Sequence, residues 1–231
     1  MKDIFFCPEE SKFYSYCLET FILNQCNNSE SLVEFGSGDG SPVINSLLRT
    51  RFNGLIHGFE LNASACKIAN STVEEYNLGN KYIIHNQSFF NSAKPEAEYL
   101  ISNPPYLPAP DNNIYMPFLH GGTDGSTLTK QLLLLGYDNV LLMISSFSDP
   151  EGTINYAKAQ GYYLSDFLVL PLPFGYYSSE PKVKNTIKEL QKNNKAFCSD
   201  KIYLLAGVLF KKEHKSSSDL STEFVQVMTA M

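Results

Sequence analysis

The chain has 231 residues, 43% of them apolar and 18% charged, with a formal net charge of −6. Such a length can bury one sizeable core, and no run approaches the roughly eighteen uninterrupted apolar residues of a membrane-spanning helix. The acidic balance argues against a protein that grips a nucleic-acid backbone with its whole surface, while leaving room for a local basic patch.

A helix is expected over 9–25, then an apolar strand over 31–35 that runs into Gly36, Gly38 and Gly40. These glycines let the backbone take positive φ and approach a ligand, and a helix over 42–50 follows, its first N–H groups unpaired. The spacing is neither a dinucleotide fingerprint nor a P-loop. It suits S-adenosylmethionine better. The next strand, 54–60, ends on Glu60, where a carboxylate can accept both ribose hydroxyls; an ordinary strand-end acid is the plainer alternative. A helix over 62–76 leads to a strand over 81–85 and then to Asn86, Gln87, Ser88 and Phe89.

The strand over 98–102 ends on Asn103-Pro104-Pro105-Tyr106. Proline fixes its own φ and pushes the residue before it into the extended region, so Asn103 and Pro104 leave the strand as a stiff corner. The Asn103 side-chain oxygen and the Pro104 carbonyl can each accept one hydrogen of an NH2 group. Tyr106 offers a flat face for a planar amide or base. A Pro-Pro turn without chemical role is the competing reading. Further elements are a helix over 126–136 capped by Asp124 or Ser126, a strand over 139–145, a helix over 150–160 closed by Gly161, and a strand over 163–170. A Lys-rich insertion over 181–195 then precedes a strand over 201–210, and a Ser-rich stretch over 212–231 reads as a mobile tail.

Strands alternating with helices indicate a doubly wound α/β domain over 1–211, a mainly parallel seven-stranded sheet with an antiparallel final strand. The N-terminus is too polar for a secretory signal, which points to the cytoplasm. The five cysteines are scattered with no C-x-x-C pair, so they read as reduced thiols, and no metal is expected.

Pro8 to Ser11, Glu34 to Gly40, Asn103 to Tyr106 and Gly121-Gly122-Thr123-Asp124-Gly125 together resemble the class I methyltransferases of the HemK/PrmC type, over roughly residues 5–136. The resemblance implies transfer of a methyl group from S-adenosylmethionine to a glutamine side-chain nitrogen, typically in the Gly-Gly-Gln loop of a peptide-chain release factor. The implied cofactor contacts are Glu34, Gly36, Ser37, Gly38, Gly40, Glu60, Leu61, Gln87, Ser88, Phe89 and Asn103; the implied catalytic residues are Asn103, Pro104, Pro105 and Tyr106. The glycine loop and corner alone are shared with DNA and RNA amino-methyltransferases, so adenine N6 or guanine N2 stays open as acceptor. A cofactor-binding interaction module without catalysis is a third reading. Members of the family carry a helical substrate-docking domain ahead of the catalytic one, whereas about thirty residues precede the first strand here, so a different partner is an expectation. It also has Gln87 or Asn86 where an acid usually reads the adenine. The insertion lysines Lys182, Lys184, Lys188, Lys192 and Lys195 read either as a solvated helix face or as a partner surface. Nothing in the sequence fixes the oligomeric state.

Overall fold

Short apolar runs closed by glycine or by a cap alternate with amphipathic helices along the chain. The computed structural model describes residues 4, 5, 7–26, 30–212 and 218–231. It divides into two compact units, Met1–Asn103 and Pro104–Met231, where the sequence suggested one domain over 1–211.

In the first unit, α1 (Pro8–Leu18) starts on a proline with Glu9 and Glu10 in its first turn, both suited to the exposed N–H end of a helix. It runs on into a π-helical turn, Glu19–Leu23. Then come β1 (Ser31–Phe35), α2 (Ser41–Arg49), β2 (Leu55–Phe59), α3 (Ala63–Glu75), β3 (Tyr82–His85) and β4 (Tyr99–Ser102). The side chain of Asn62 caps α3 by accepting from the N–H groups of Ser64 and Ala65. β1 pairs in parallel with β2 on one side and β4 on the other, and β2 pairs in parallel with β3. Leu32, Val33, Ile56, Leu100 and Ile101 are fully buried, as expected of strands covered on both faces.

The second unit holds a 3-10 turn (Pro117–Leu119), α4 (Thr127–Leu134), β5 (Asn139–Ser145), α5 (Pro150–Ala159), β6 (Tyr162–Pro173), α6 (Pro181–Lys192), β7 (Ile202–Lys212) and α7 (Ser221–Met228). β7 pairs antiparallel with both β5 and β6. Hydrogen bonding orders the strands β3-β2-β1-β4-β5-β7-β6, a seven-stranded mixed sheet whose final strand is antiparallel, as the sequence indicated.

The stretch read as a mobile tail is corrected in part. Residue 212 completes β7, and 221–228 form α7, whose Phe224 and Met228 are fully buried. Phe224 and Met228 lie four apart on one helix face, and burying them outweighs the polar composition around them. Residues 213–217 of that stretch, His214 among them, lie outside the described residues. No helix among the described residues is long and apolar enough to cross a membrane.

Candidate cofactor and acceptor site

The glycine loop leaves the carboxyl end of β1 with Gly36, Gly38 and Gly40 at φ of 71°, 56° and 74°. A Cβ at Gly36 or Gly38 would meet nothing within 4 Å, so the left-handed turn encloses open space. At Gly40 a Cβ would press on Ala69 at 3.1 Å and Ile44 at 3.2 Å, so this glycine serves close packing of α2 and α3. The Gly36 and Ser37 N–H groups donate to the Phe59 carbonyl at 2.9 and 3.2 Å, tying the loop to the end of β2. Ser37 itself is buried.

Glu60 stands just past β2, on the same rim. One carboxylate oxygen accepts from the Gly38 N–H and the other from the Asn62 N–H, both at 2.8 Å. A carboxylate has about four acceptor positions, so each oxygen keeps capacity for a further donor. Leu61, next along, is 60% exposed and presents an apolar surface beside it. After β3, Asn86 donates to the carbonyls of Glu60 at 2.9 Å and Leu61 at 3.2 Å. Its amide thus braces this rim, and the neighbouring Gln87 is exposed. Phe89 is buried, edge-on to Phe35 at 5.5 Å and to Phe59 at 5.3 Å, while Ser88 is half-buried. An open glycine turn, a carboxylate with spare acceptor capacity and an apolar rim fit the ribose and base of a nucleoside.

Glu34, the penultimate residue of β1, is fully enclosed. Tyr14 donates to one of its oxygens at 3.2 Å and Tyr82 donates to the other. Burial raises its pKa to about 7 against the lowering by the two tyrosines, with the charges of Glu60 and Asp39 adding to the rise. The structure therefore places Glu34 beneath the loop, bonded to protein. Neither tyrosine could be linked to it from spacing, because they come from α1 and β3.

Asn103 follows β4, the parallel neighbour of β1, so it stands at the same strand-end rim as the glycine loop. The Ser102 hydroxyl donates to the Phe35 carbonyl at 2.8 Å and fixes the two strand ends together. The Asn103 Oδ1 atom is buried and has no hydrogen-bond partner among the described residues. An orphaned buried acceptor costs about 1 to 3 kcal/mol, which a donor arriving there would recover.

In the second unit, the Pro104 carbonyl accepts no hydrogen bond among the described residues. Pro105 is half-buried. Tyr106 departs from the open flat face expected of it. It is only 8% exposed, its hydroxyl lies 3.4 Å from that of Tyr203, and its ring sits 5.7 Å from Phe147. The Ser148 hydroxyl donates to the Tyr106 carbonyl at 2.8 Å, so this residue anchors the corner. Gly121 is obligatory there: a Cβ would meet the Pro105 carbonyl oxygen at 2.7 Å. Asp124 accepts from the Ser126 N–H at 2.9 Å and hydroxyl at 2.8 Å, the start signal for α4. His120 pairs with the Ala109 carbonyl at 3.0 Å, a structural use. Among the described residues no three His, Cys, Asp or Glu side chains gather as a metal site.

No family profile matches the chain. The release factor glutamine methyltransferase of Thermosynechococcus vestitus is 28% identical over 113 residues, which cover 44% of this chain and 38% of that protein. The match thus spans well under half of that relative's length. Among solved structures, M. jannaschii TYW2 in complex with AdoMet superposes with a TM-score of 0.53 at 14% identity, covering 91% of this chain and 79% of that one. The geranyl diphosphate C-methyltransferase of Streptomyces coelicolor, solved with S-adenosyl-L-homocysteine, gives 0.53 at 10% identity, covering 88% and 79%. The [4+2]-cyclase SpnF gives 0.54 at 12% identity, covering 87% and 81%. These likenesses establish the class I methyltransferase fold.

Proposed function

We propose that the protein is an S-adenosylmethionine-dependent N-methyltransferase that methylates the side-chain amide of a glutamine in a protein such as a peptide-chain release factor. The observation that carries this reading is the unpartnered Oδ1 of Asn103, at the end of β4, on the rim that also bears the open glycine turn. In doubly wound sheets ligands bind at the carboxyl ends of strands where the order reverses, and β1 and β4 flank that point. The partial identity to a release factor glutamine methyltransferase favours an amide over a nucleobase.

Gly36, Ser37, Gly38 and Gly40 would shape the cofactor cradle, with Glu34 supporting it from below. Glu60 would hold the ribose, and Leu61, Gln87, Ser88 and Phe89 would border the adenine. The cofactor supplies an electrophilic methyl group when bound. Asn103 Oδ1 and the Pro104 carbonyl would take the two amide hydrogens, aim the nitrogen lone pair and draw electron density onto it. Pro105 stiffens the corner and Tyr106 fixes it to its unit. No general base is needed before attack, because the nitrogen becomes acidic only as it gains its methyl group; the proton then leaves to water.

Asn103→Ala separates this role from a structural one. Losing one preorganised hydrogen bond should lower kcat by about a hundred- to a thousandfold. Cofactor affinity by calorimetry should stay near wild type. Undiminished turnover in that variant would remove the corner from the mechanism.

A further inference from the structure

The lysine-rich insertion is α6, and it is laced to the loop that begins at the acceptor corner. Leu107 directly follows Tyr106, and its N–H and carbonyl bond to Leu119 at 3.1 Å and Gly121 at 2.9 Å, so both ends of the 107–120 loop are clamped at the corner. Within the loop, the Tyr115 N–H donates to Glu180 at 2.7 Å. Lys182 donates to the Asp111 carboxylate at 2.7 Å and the Asn113 carbonyl at 2.6 Å. Tyr115 and Tyr176 stack at 5.2 Å with an interplanar angle of 29°, yet are 55% and 72% exposed; Phe118, on the same loop, is 57% exposed.

On α6, Val183 and Ile187 face inward, while Lys184 and Lys188 point outward one turn apart. Neither of these lysines has an ion pair among the described residues; Lys182 and Lys192 are paired with Asp111 and Glu189. A solvated helix accounts for lysines but not for two tyrosines held face to face in water. Rigid exposed aromatics are what protein interfaces use as anchors, since little side-chain entropy is lost when they are covered. The exposed carboxylates Asp111 and Glu189 lie among the lysines, and the chain carries a net charge of −6. That mixture repels a continuous phosphate backbone but suits a polypeptide with carboxylates at intervals.

We propose that Tyr115, Phe118 and Tyr176, with Lys184 and Lys188, form a docking face for an acidic polypeptide segment of the acceptor protein. This rests on the reading of the corner as a protein-amide site, and it assigns the insertion a part in acceptor capture.

The test uses the full chain and fluorescence anisotropy with a labelled Glu-rich peptide containing one glutamine. A Lys-rich peptide and an oligo-dT strand of matching charge serve as comparators. The Glu-rich peptide should bind best, and more weakly as salt rises. Lys184→Glu combined with Lys188→Glu should weaken it by about tenfold or more. Tyr176→Ala should weaken it as well, with calorimetric cofactor affinity and thermal unfolding unchanged in both variants. Equal binding to wild type and variants would overturn the proposal, and so would preference for oligo-dT. Should the peptide dock as described while no glutamine anywhere accepts a methyl group, the amide assignment falls and the docking face stands.

Discussion

Glu34 and Glu60, one on β1 and one just past β2, meet opposite fates. Glu60 spends its carboxylate on two loop N–H groups at the rim, whereas Glu34 is sealed beneath the loop by Tyr14 and Tyr82. Removing Glu60 takes away a charge-assisted contact to the proposed ribose, so Glu60→Ala should weaken S-adenosylmethionine binding by about ten- to a hundredfold, or roughly 1.5 to 3 kcal/mol. Equal affinity by calorimetry would take Glu60 out of the site. For Glu34 the folded-state pKa of about 7 lies above its ordinary 4.5. Its contribution to stability is therefore complete below the ordinary value and is lost as pH rises through about 7, on the order of 3 kcal/mol in all. Glu34→Gln cannot ionise, so urea unfolding between about pH 5 and pH 8 should show a smaller pH-dependent loss than wild type. Identical slopes would mean that Glu34 is ionised throughout. The positive-φ glycine turn and the strand-end position of Glu60 were legible because both follow from local spacing. The tyrosines on Glu34 were not, since they lie 20 and 48 residues away and only the fold brings them in. The bracing by Asn86 was hidden for the same reason.

At the scale of elements, the parallel strands announced themselves as apolar runs, and every expected strand is present within a few residues. β6 runs on through Pro171 and Pro173, beyond the expected end at 170. Prolines argue against an interior strand, but β6 is last in the sheet order, and an edge strand tolerates them. The helix least visible in the sequence is α7, masked by serines. It is fixed by Phe224 edge-on to Phe167 at 5.4 Å, by the Leu220 N–H donating to the Leu164 carbonyl at 2.9 Å, and by Lys158 paired with Asp219 at 3.1 Å. Phe224→Ala should therefore destabilise its unit by about 3 to 5 kcal/mol. Denaturant unfolding measures this; a cost comparable to that of an exposed side chain would mean that α7 is not docked.

For the whole molecule, the fold alone does not name the reaction: a C-methyltransferase and a cyclase share it with this chain. The proposal of nitrogen chemistry rests on the Asn103 corner, and that of a protein acceptor on the partial identity to a glutamine methyltransferase. The corner's place at the end of β4 was legible as sequence, but the burial of Tyr106 was not, and the stacked tyrosines, 115 and 176, had no signal before the chain folded. The most direct measurement is incubation of the enzyme with methyl-labelled S-adenosylmethionine and a cell extract, followed by peptide mass spectrometry of the labelled product. The label is expected on a glutamine side-chain nitrogen of a protein, formed about a hundred- to a thousandfold more slowly when Asn103→Ala replaces the wild type. Label confined to RNA or DNA, or protein label on a residue other than glutamine, would contradict that expectation.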